Sequence, residues 1–572
     1  MKFPNQNHET PPTTAGGRFL TGPLVISSSF TLATLLGMFV IRLHDDEGML
    51  AYQFAQVLFK EPLAAWFFQK LRPIGSLLMA PWAMTGFTVF LIGQKIWAGL
   101  GIYFLGLAVD RLGGKGWLAS LIVASSPMYV VSSMAGHANI QGVAIAALAM
   151  ALLAYRKFPW GAGLLVGLLP WVRYEYVFFS AVLAGYALFE WRRPGFFIAC
   201  AAFPLFYLLT GMMYHEDFFW MAHYPPSLIT PEPDSEAFVN ISWSFNIFED
   251  NIFRLSFLCP FWPLLAIRPL RGHGLLGKSM WLLLASCLAI LIFFPLFKIF
   301  KFDYSLRYWL LILIPCAFLL AAPSKHARPL PWLGAFLLAA SGAIVGAMSG
   351  ASDHFAFTLL IVSAPLAYLL IVNFAAQRKR ILRAALLGLL VVAGLCSNLE
   401  VLANIRKTTP ADSDHKSALA WLEEKSGNDG LRDIYTNSHM LQALLDDADS
   451  PLAPHVKYLA QYDVHYELYH LLNKANGQYK TFLGAFAPIL NGHAVWACRL
   501  ANYKSFANDV FIIFDDNRFN RIYPPAFIKQ IADPVKRTGS YQIFVGKAAL
   551  PKPAGELGMR LESDLLAGPC KP

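Results

Sequence analysis

From Leu20 to Leu399 one apolar run follows another, each long enough to cross about 30 Å of hydrocarbon. Inside lipid every backbone N–H and C=O must find its partner within the protein, so runs of this kind form helices. That restricts the first two-thirds of the chain to a polytopic transmembrane bundle. Composition agrees. Only 14% of the 572 residues are charged and the mean hydropathy is +0.47, whereas a soluble chain carries roughly a quarter charged residues. After Val401 the composition becomes that of a soluble domain. The expected fold class is mainly α: a transmembrane helical bundle followed by a soluble C-terminal α/β domain. The expected boundaries are a cytoplasmic tail (1–21), a membrane domain (22–403) with a long first extracytoplasmic loop (43–95), and a soluble domain (404–572).

The apolar runs resolve into spans at 22–42, 96–110, 117–135, 138–155, 160–173, 175–191, 195–214, 251–268, 280–298, 307–322, 331–349, 355–374 and 384–400. That is about thirteen, with the stretch 74–92 left as either a further span or an interfacial or re-entrant segment. Basic residues choose between them, because cytoplasmic loops collect Lys and Arg. With the N-terminus inside and thirteen spans, the inside loops hold Arg111 and Lys115, Arg156 and Lys157, Arg192 and Arg193, Arg268, Arg271 and Lys278, Lys325 and Arg328, and Arg378, Lys379, Arg380 and Arg383. The outside loops then hold most of the acids, including Asp45, Asp46, Glu47, Glu175, Glu216, Asp217, Glu232, Asp303 and Asp353. A span at 74–92 would invert every later loop. Topology thus accounts for the net charge of +10, and without a basic stripe interleaved with aromatics nucleic acid is not an expected partner. The run after the polar N-terminus is too long for a signal-peptide core and is expected to be a retained helix.

Five of the seven cysteines (Cys200, Cys259, Cys287, Cys316, Cys396) fall in apolar spans, where Cys behaves as a small hydrophobe. Cys498 and Cys570 lie in the soluble part, and their spacing fits no zinc site. There the pattern predicts a helix over 413–425, capped by Asp412 or Asp414, a second helix over 463–472, and strands at 433–436, 510–514 and 541–545. No phosphate loop, nucleophile elbow or metal motif accompanies them, so chemistry is expected in the membrane domain.

The most informative segment is the first outside loop, His44-Asp45-Asp46-Glu47-Gly48. Behind it, 49–59 places Leu50, Phe54, Val57 and Leu58 on one helical face with Gln53 and Gln56 opposite, which predicts an amphipathic helix lying on the membrane surface. Trp66, Phe67 and Phe68 suit the same interface. A single acid there would serve as a helix cap favoured by the dipole. Three in succession leave two that capping does not explain.

An Asp46-Glu47 pair after the first span, an amphipathic helix and then the basic-Pro step Arg72-Pro73 resemble the C-type glycosyltransferase superfamily. The likeness is to the branch holding the aminoarabinose transferase of lipid A and the protein O-mannosyltransferases. Leu306-Arg307-Tyr308 before Pro315 resembles the family's Arg-Tyr step, and Arg173-Tyr174-Glu175 a basic-aromatic-acid step of related members. The second outside loop departs from the pattern: where the family often has an acid, this chain reads Gly136-His137-Ala138-Asn139-Ile140-Gln141, with His137 or Asn139 in its place.

The resemblance implies transfer of a sugar from a polyprenyl-phosphate donor to a hydroxyl acceptor on a lipid, glycan or protein. The reaction would take place at the outer face of a bacterial inner membrane, among membrane lipids. A carboxylate suits removal of the acceptor's proton, which points to Asp46 first, then Asp45 and Glu47. Cations suit the phosphate leaving group, which points to Arg72, Arg173, Lys301 and Arg307 with Tyr308; the alternative for each Arg is reaching out to the lipid headgroups. His137, Asn139 and Glu175 are candidates for the acceptor side. His215, Glu216 and Asp217 could hold a divalent cation, the one cofactor considered, or simply begin a solvated loop. The rivals are a transporter or flippase of a lipid-linked glycan, which would place charges at the midplane and show internal repeats, and an oligosaccharyltransferase- or polymerase-type enzyme of similar layout.

Overall fold

The computed structural model describes residues 21–40, 46–60, 62–67, 73–223, 275–296, 310–322, 412–429, 432–438, 450–459, 503–514 and 525–557, with single positions at 255, 258, 259, 261, 262, 265, 440, 441, 444 and 445. The helices are α1 (Thr21–Val40), α2 (Asp46–Lys60), α3 (Pro62–Phe67), α4 (Pro73–Ala83), α5 (Phe87–Arg111), α6 (Gly116–Ala124), α7 (Pro127–Ala135), α8 (Asn139–Tyr155), α9 (Pro159–Val172), α10 (Val177–Glu190), α11 (Pro194–His215), α12 (Leu275–Leu296) and α13 (Leu310–Ala321).

Among the described residues α1, α5 and α11 are long and apolar enough to cross a membrane, and α6 with α7 adds a fourth candidate bent by 64°. The bend sits at Ser125-Ser126-Pro127. Proline has no N–H to continue α6, while the Ser126 side chain accepts from the Tyr129 N–H at 3.2 Å and caps α7. The shorter apolar helices include α8, α9 and α13. The expected spans beyond residue 322 lie outside the described residues. The ambiguous stretch 74–92 breaks in two. Its first part, α4, has 11 residues and at 1.5 Å per residue reaches about half a bilayer. Gly86, at φ 121°, then turns the chain into α5.

α5 is the hub, with α1, α4, α6, α7, α8 and α13 against it. Lipid offers no hydrophobic drive between helices, so close contact needs small residues and polar side chains paired across helices. Buried Ala144, Ala146, Ala147, Ala149 and Ala151 supply the first on α8. Ser27 Oγ to Gly99 O (2.7 Å), Tyr129 Oη to Ala98 O (2.7 Å) and Ser120 Oγ to Ile102 O (3.1 Å) supply the second on α5. Leu24, Leu32 and Phe39 on α1, and Ile198, Phe206 and Met213 on α11, are exposed as a lipid-facing surface requires.

At one end of the bundle Arg111 lies over the Tyr155 ring (5.4 Å), Arg156 pairs with Glu190 (2.7 Å) and the Lys115 N–H meets Ala321 O (2.9 Å). Elsewhere the start of α2 meets the α7–α8 turn through Gly48, and Arg173 joins α8 through Asn139.

Residues 412–557 hold α14 (Asp412–Asp429), α15 (Pro525–Ile531) and a five-stranded sheet: β1 (Ile434–Thr436), β2 (Val456–Tyr458), β3 (Val510–Phe514), β4 (Ala532–Thr538) and β5 (Tyr541–Gly546), in the order β2-β1-β3-β5-β4. β1 runs parallel to β2 and β3, pairing Thr436 with Tyr458 and Ile512; β5 is antiparallel to β3 and β4. The pattern predicted β1, β3 and β5 but not β2, which has three residues, or β4. The interior of β4, Asp533 to Arg537, is exposed at the sheet edge, and charges and Pro534 there hinder further strand pairing. Asp414 is not a cap. It accepts from the N–H (3.0 Å) and hydroxyl (2.8 Å) of Ser540, tying α14 to the β4–β5 turn. Within the core Tyr541 Oη donates to Ser438 Oγ (2.8 Å) and lies 2.8 Å from His415 Nδ1, so α14, β1 and β5 share one buried polar chain. The expected helix over 463–472, Cys498 and Cys570 lie outside the described residues.

Asp509, at the start of β3, is buried, and burial followed by the nearby Asp433 pushes its carboxyl up to about 6. Between its ordinary value and about 6 the folded chain holds a proton that the unfolded chain has lost, so stability falls as pH rises through that window. Unfolding of the detergent-solubilised protein at about pH 4.5 and about pH 7.5 is expected to show a smaller difference in Asp509→Asn than in wild type.

Candidate functional site

Asp46 and Glu47 open α2 at the positive end of its dipole. Gly48, one residue on, is buried. A methyl group on it would collide with the Ala135 carbonyl and meet Gly136 at 3.6 Å. Only a residue without a Cβ lets the first turn of α2 rest on this backbone. Gly136 itself caps α7 in the left-handed region at φ 84° and sends the chain through His137 and Ala138 into α8. The first and second loops therefore meet backbone to backbone, two residues from Asp46.

α5 holds the other side of this turn. Gln94 Nε2 donates to Gly136 O (3.0 Å), and Gln141 Nε2 on α8 donates to Gln94 Oε1 (2.8 Å). Lys95 Nζ reaches Ser133 O (3.4 Å) and Leu91 O (3.3 Å). The His137 N–H donates to Ser132 O (3.0 Å), and its Nδ1 lies 3.1 Å from Ser132 Oγ. Each of these groups is buried.

The third loop joins through Arg173. It ends α9 in extended conformation and is 1% exposed, so it does not reach out to headgroups. Its Nη1 donates to Asn139 Oδ1 (2.9 Å), and Nε donates to both Glu175 carboxylate oxygens (3.1 and 3.2 Å). A guanidinium fork shared between a carboxylate and an amide fixes the α8 N-terminus against the α9–α10 connection.

Of the sequence-predicted residues, Asn139, Arg173 and Glu175 are joined by side-chain bonds, His137 lies in the turn before Asn139, and Asp46 and Glu47 precede the Gly48 that rests on that turn. Asp45, Arg72, Lys301, Arg307 and Tyr308 lie outside the described residues. The candidates for a divalent cation, His215, Glu216 and Asp217, lie where α11 ends. His215 stacks on Trp220 (5.0 Å), Glu216 turns the chain at φ 53° and Asp217 caps the Phe219 N–H (2.9 Å). Among the described residues no group of three such side chains could hold a metal ion.

On α2, Tyr52, Ala55 and Leu58 are buried and Phe54 is half-buried; Leu58 and Phe54 belong to the expected apolar face, while Leu50 and Val57 lie outside the described side chains. Tyr52 meets Phe87 (5.2 Å) and Phe90 (5.5 Å) edge-on. Met440 and Leu444, just beyond β1, pack into the same cluster. The sheet-bearing region therefore touches the helix that carries the acids. Sequence reasoning missed Gln94 and Lys95, because the second span was drawn from residue 96, and it gave Gln141 no role. A lysine in an otherwise apolar 25-residue helix was the signal.

No family model matches the chain, and no curated protein matches it in sequence. Solved structures match it in fold. The apo crystal structure of ArnT from Cupriavidus metallidurans aligns with a TM-score of 0.50 at 13% identity, over 95% of this chain and 99% of that one. The same protein bound to undecaprenyl phosphate aligns with a TM-score of 0.50 at 14% identity, over 93% of this chain and 100% of that one. The chain shares the fold of these ArnT structures.

Arg173→Met removes the cation that balances Glu175 inside the bundle and is expected to cost about 3 kcal/mol of stability. Asn139→Ala leaves the ion pair standing and is expected to cost about 1 kcal/mol. Thermal unfolding in detergent reads both.

Proposed function

We propose that this chain is a membrane glycosyltransferase that moves a sugar from a polyprenyl-phosphate carrier to a hydroxyl acceptor at the outer face of a bacterial inner membrane. The observation that carries the reading is the seating of the Asp46-Glu47 turn, through Gly48, on the second loop beside the Arg173–Asn139 brace. Two features lend support: the fold shared with ArnT, one of whose structures holds undecaprenyl phosphate, and the basic loops at one end of the bundle, which suit the cytoplasm.

The acceptor oxygen attacks the anomeric carbon, and the bond from that carbon to the phosphate oxygen breaks. The phosphate leaves with the electron pair as polyprenyl phosphate, and the acceptor's proton passes to a carboxylate. Asp46 is the proposed general base, with Asp45 and Glu47 beside it in sequence. Arg173 is engaged with Glu175 and Asn139, so its role here is to brace the second loop. The cations proposed for the leaving phosphate are Arg72, Lys301 and Arg307, with Tyr308. His137 stands where related enzymes often place an acid and is proposed to face the acceptor. Residues 404–572 would sit on the same outer side, as the contact of Met440 with α2 suits.

Transfer of radiolabel from a panel of polyprenyl-phosphate sugars in proteoliposomes tests the reading. At least one sugar is expected to move, and Asp46→Asn is expected to lower the rate by about 100-fold. Full activity in both Asp46→Asn and Asp45→Asn removes the mechanism, and flipping without transfer favours the transporter.

A further inference from the structure

Lys95 is an ionisable side chain with no exposed surface, on the helix at the centre of the bundle. A charge held inside a membrane domain costs stability and is rarely kept without a use. Among the described residues its Nζ donates to two backbone carbonyls, Leu91 O and Ser133 O. Gln94, the residue before it, holds Gly136 O. Between those two carbonyls lies Ala135, whose carbonyl is the surface that Gly48 abuts. Two donors on one turn of α5 therefore grip the α7–α8 turn from behind, while the first turn of α2 rests on its front. Lys95 also lies at the carbonyl end of α7, where a cation is favoured by the dipole.

We infer that Lys95, with Gln94, is a positioning residue that sets where the Asp46-Glu47 turn sits by clamping the backbone seat beneath Gly48. The inference rests on the proposed reading of the Asp46 region as the reacting centre. Neither α5 residue touches the reacting atoms. They act through 133–136, the segment that ends α7 in the left-handed Gly136. A rigid seat matters because a base misplaced by about 1 Å loses up to about 100-fold in rate.

Two measurements on the full-length protein test it. The first is hydrogen exchange in Lys95→Met, a variant that fills the site and removes the charge. Amides of residues 46–52 and 134–140 are expected to exchange about fivefold faster or more, with 412–429 unchanged and the unfolding temperature equal to or above wild type. Gln94→Met is expected to give the same local signature. Exchange unchanged at those two segments overturns the inference. So does a lowered unfolding temperature with faster exchange throughout, which would make Lys95 ordinary support of the fold. The second is transfer kinetics: Lys95→Met is expected to lower kcat about 10- to 100-fold with donor KM within about threefold. A raised donor KM at constant kcat overturns it in favour of a direct donor contact. Lys95→Gln, a shorter uncharged donor, runs the same assays if Lys95→Met is not recovered folded. Exchange needs no substrate, so a wild-type protein that transfers nothing removes the proposed reaction while exchange alone decides the role of Lys95.

Discussion

Gly48 rests on the carbonyl of Ala135 with no room between them for a side chain. Through that contact the helix that begins with Asp46 meets the second loop, and the second loop in turn meets Arg173 through Asn139. Three loops, spread along the chain from Asp46 to Glu175, are thus linked in one chain of contacts. Any side chain at 48 would push the acids away from their neighbours, whatever its polarity.

The same region concentrates the buried polar groups of the membrane domain. Gln94, Lys95, His137, Asn139, Gln141 and Arg173 are all shielded from solvent. In a low-dielectric interior such groups need partners, and here each makes at least one hydrogen bond, though Gln141 Oε1 has none among the described residues. Elsewhere in the bundle the buried polar side chains are mostly serines and threonines bonded to helix carbonyls, which serve packing. The long side chains of that region instead connect different helices. That contrast sets the site apart from the scaffold.

The region beyond residue 412 is not simply appended. Its sheet mixes a parallel half with an antiparallel half, and the segment after β1 sends Met440 into the cluster of Tyr52, Phe87 and Phe90. One hydrophobic contact thereby joins the sheet-bearing region to the acid-bearing helix. Asp414 and the Tyr541–Ser438 bond keep α14 and β1 in place, so the contact is presented from a fixed frame.

Apolar length, basic loops and the Asp46-Glu47-Gly48 triplet were legible in the chain alone, because they depend only on local composition and on the cost of backbone and charge in lipid. So were β3, an apolar and mostly buried run, and β5, which alternates around the exposed Gln542. Tertiary structure decided the rest. It halved the stretch 74–92 at Gly86, since nothing local says where a helix must turn back. It added Tyr52 and Ala55 to the buried side of α2, because residues of α4 and α5 pack there. It turned Arg173 inward to Glu175 and Asn139, and it drew Gln94 and Lys95 inside the bundle. Sequence measures each residue against an average solvent, and partners arriving from distant helices replace that solvent only once the chain has folded.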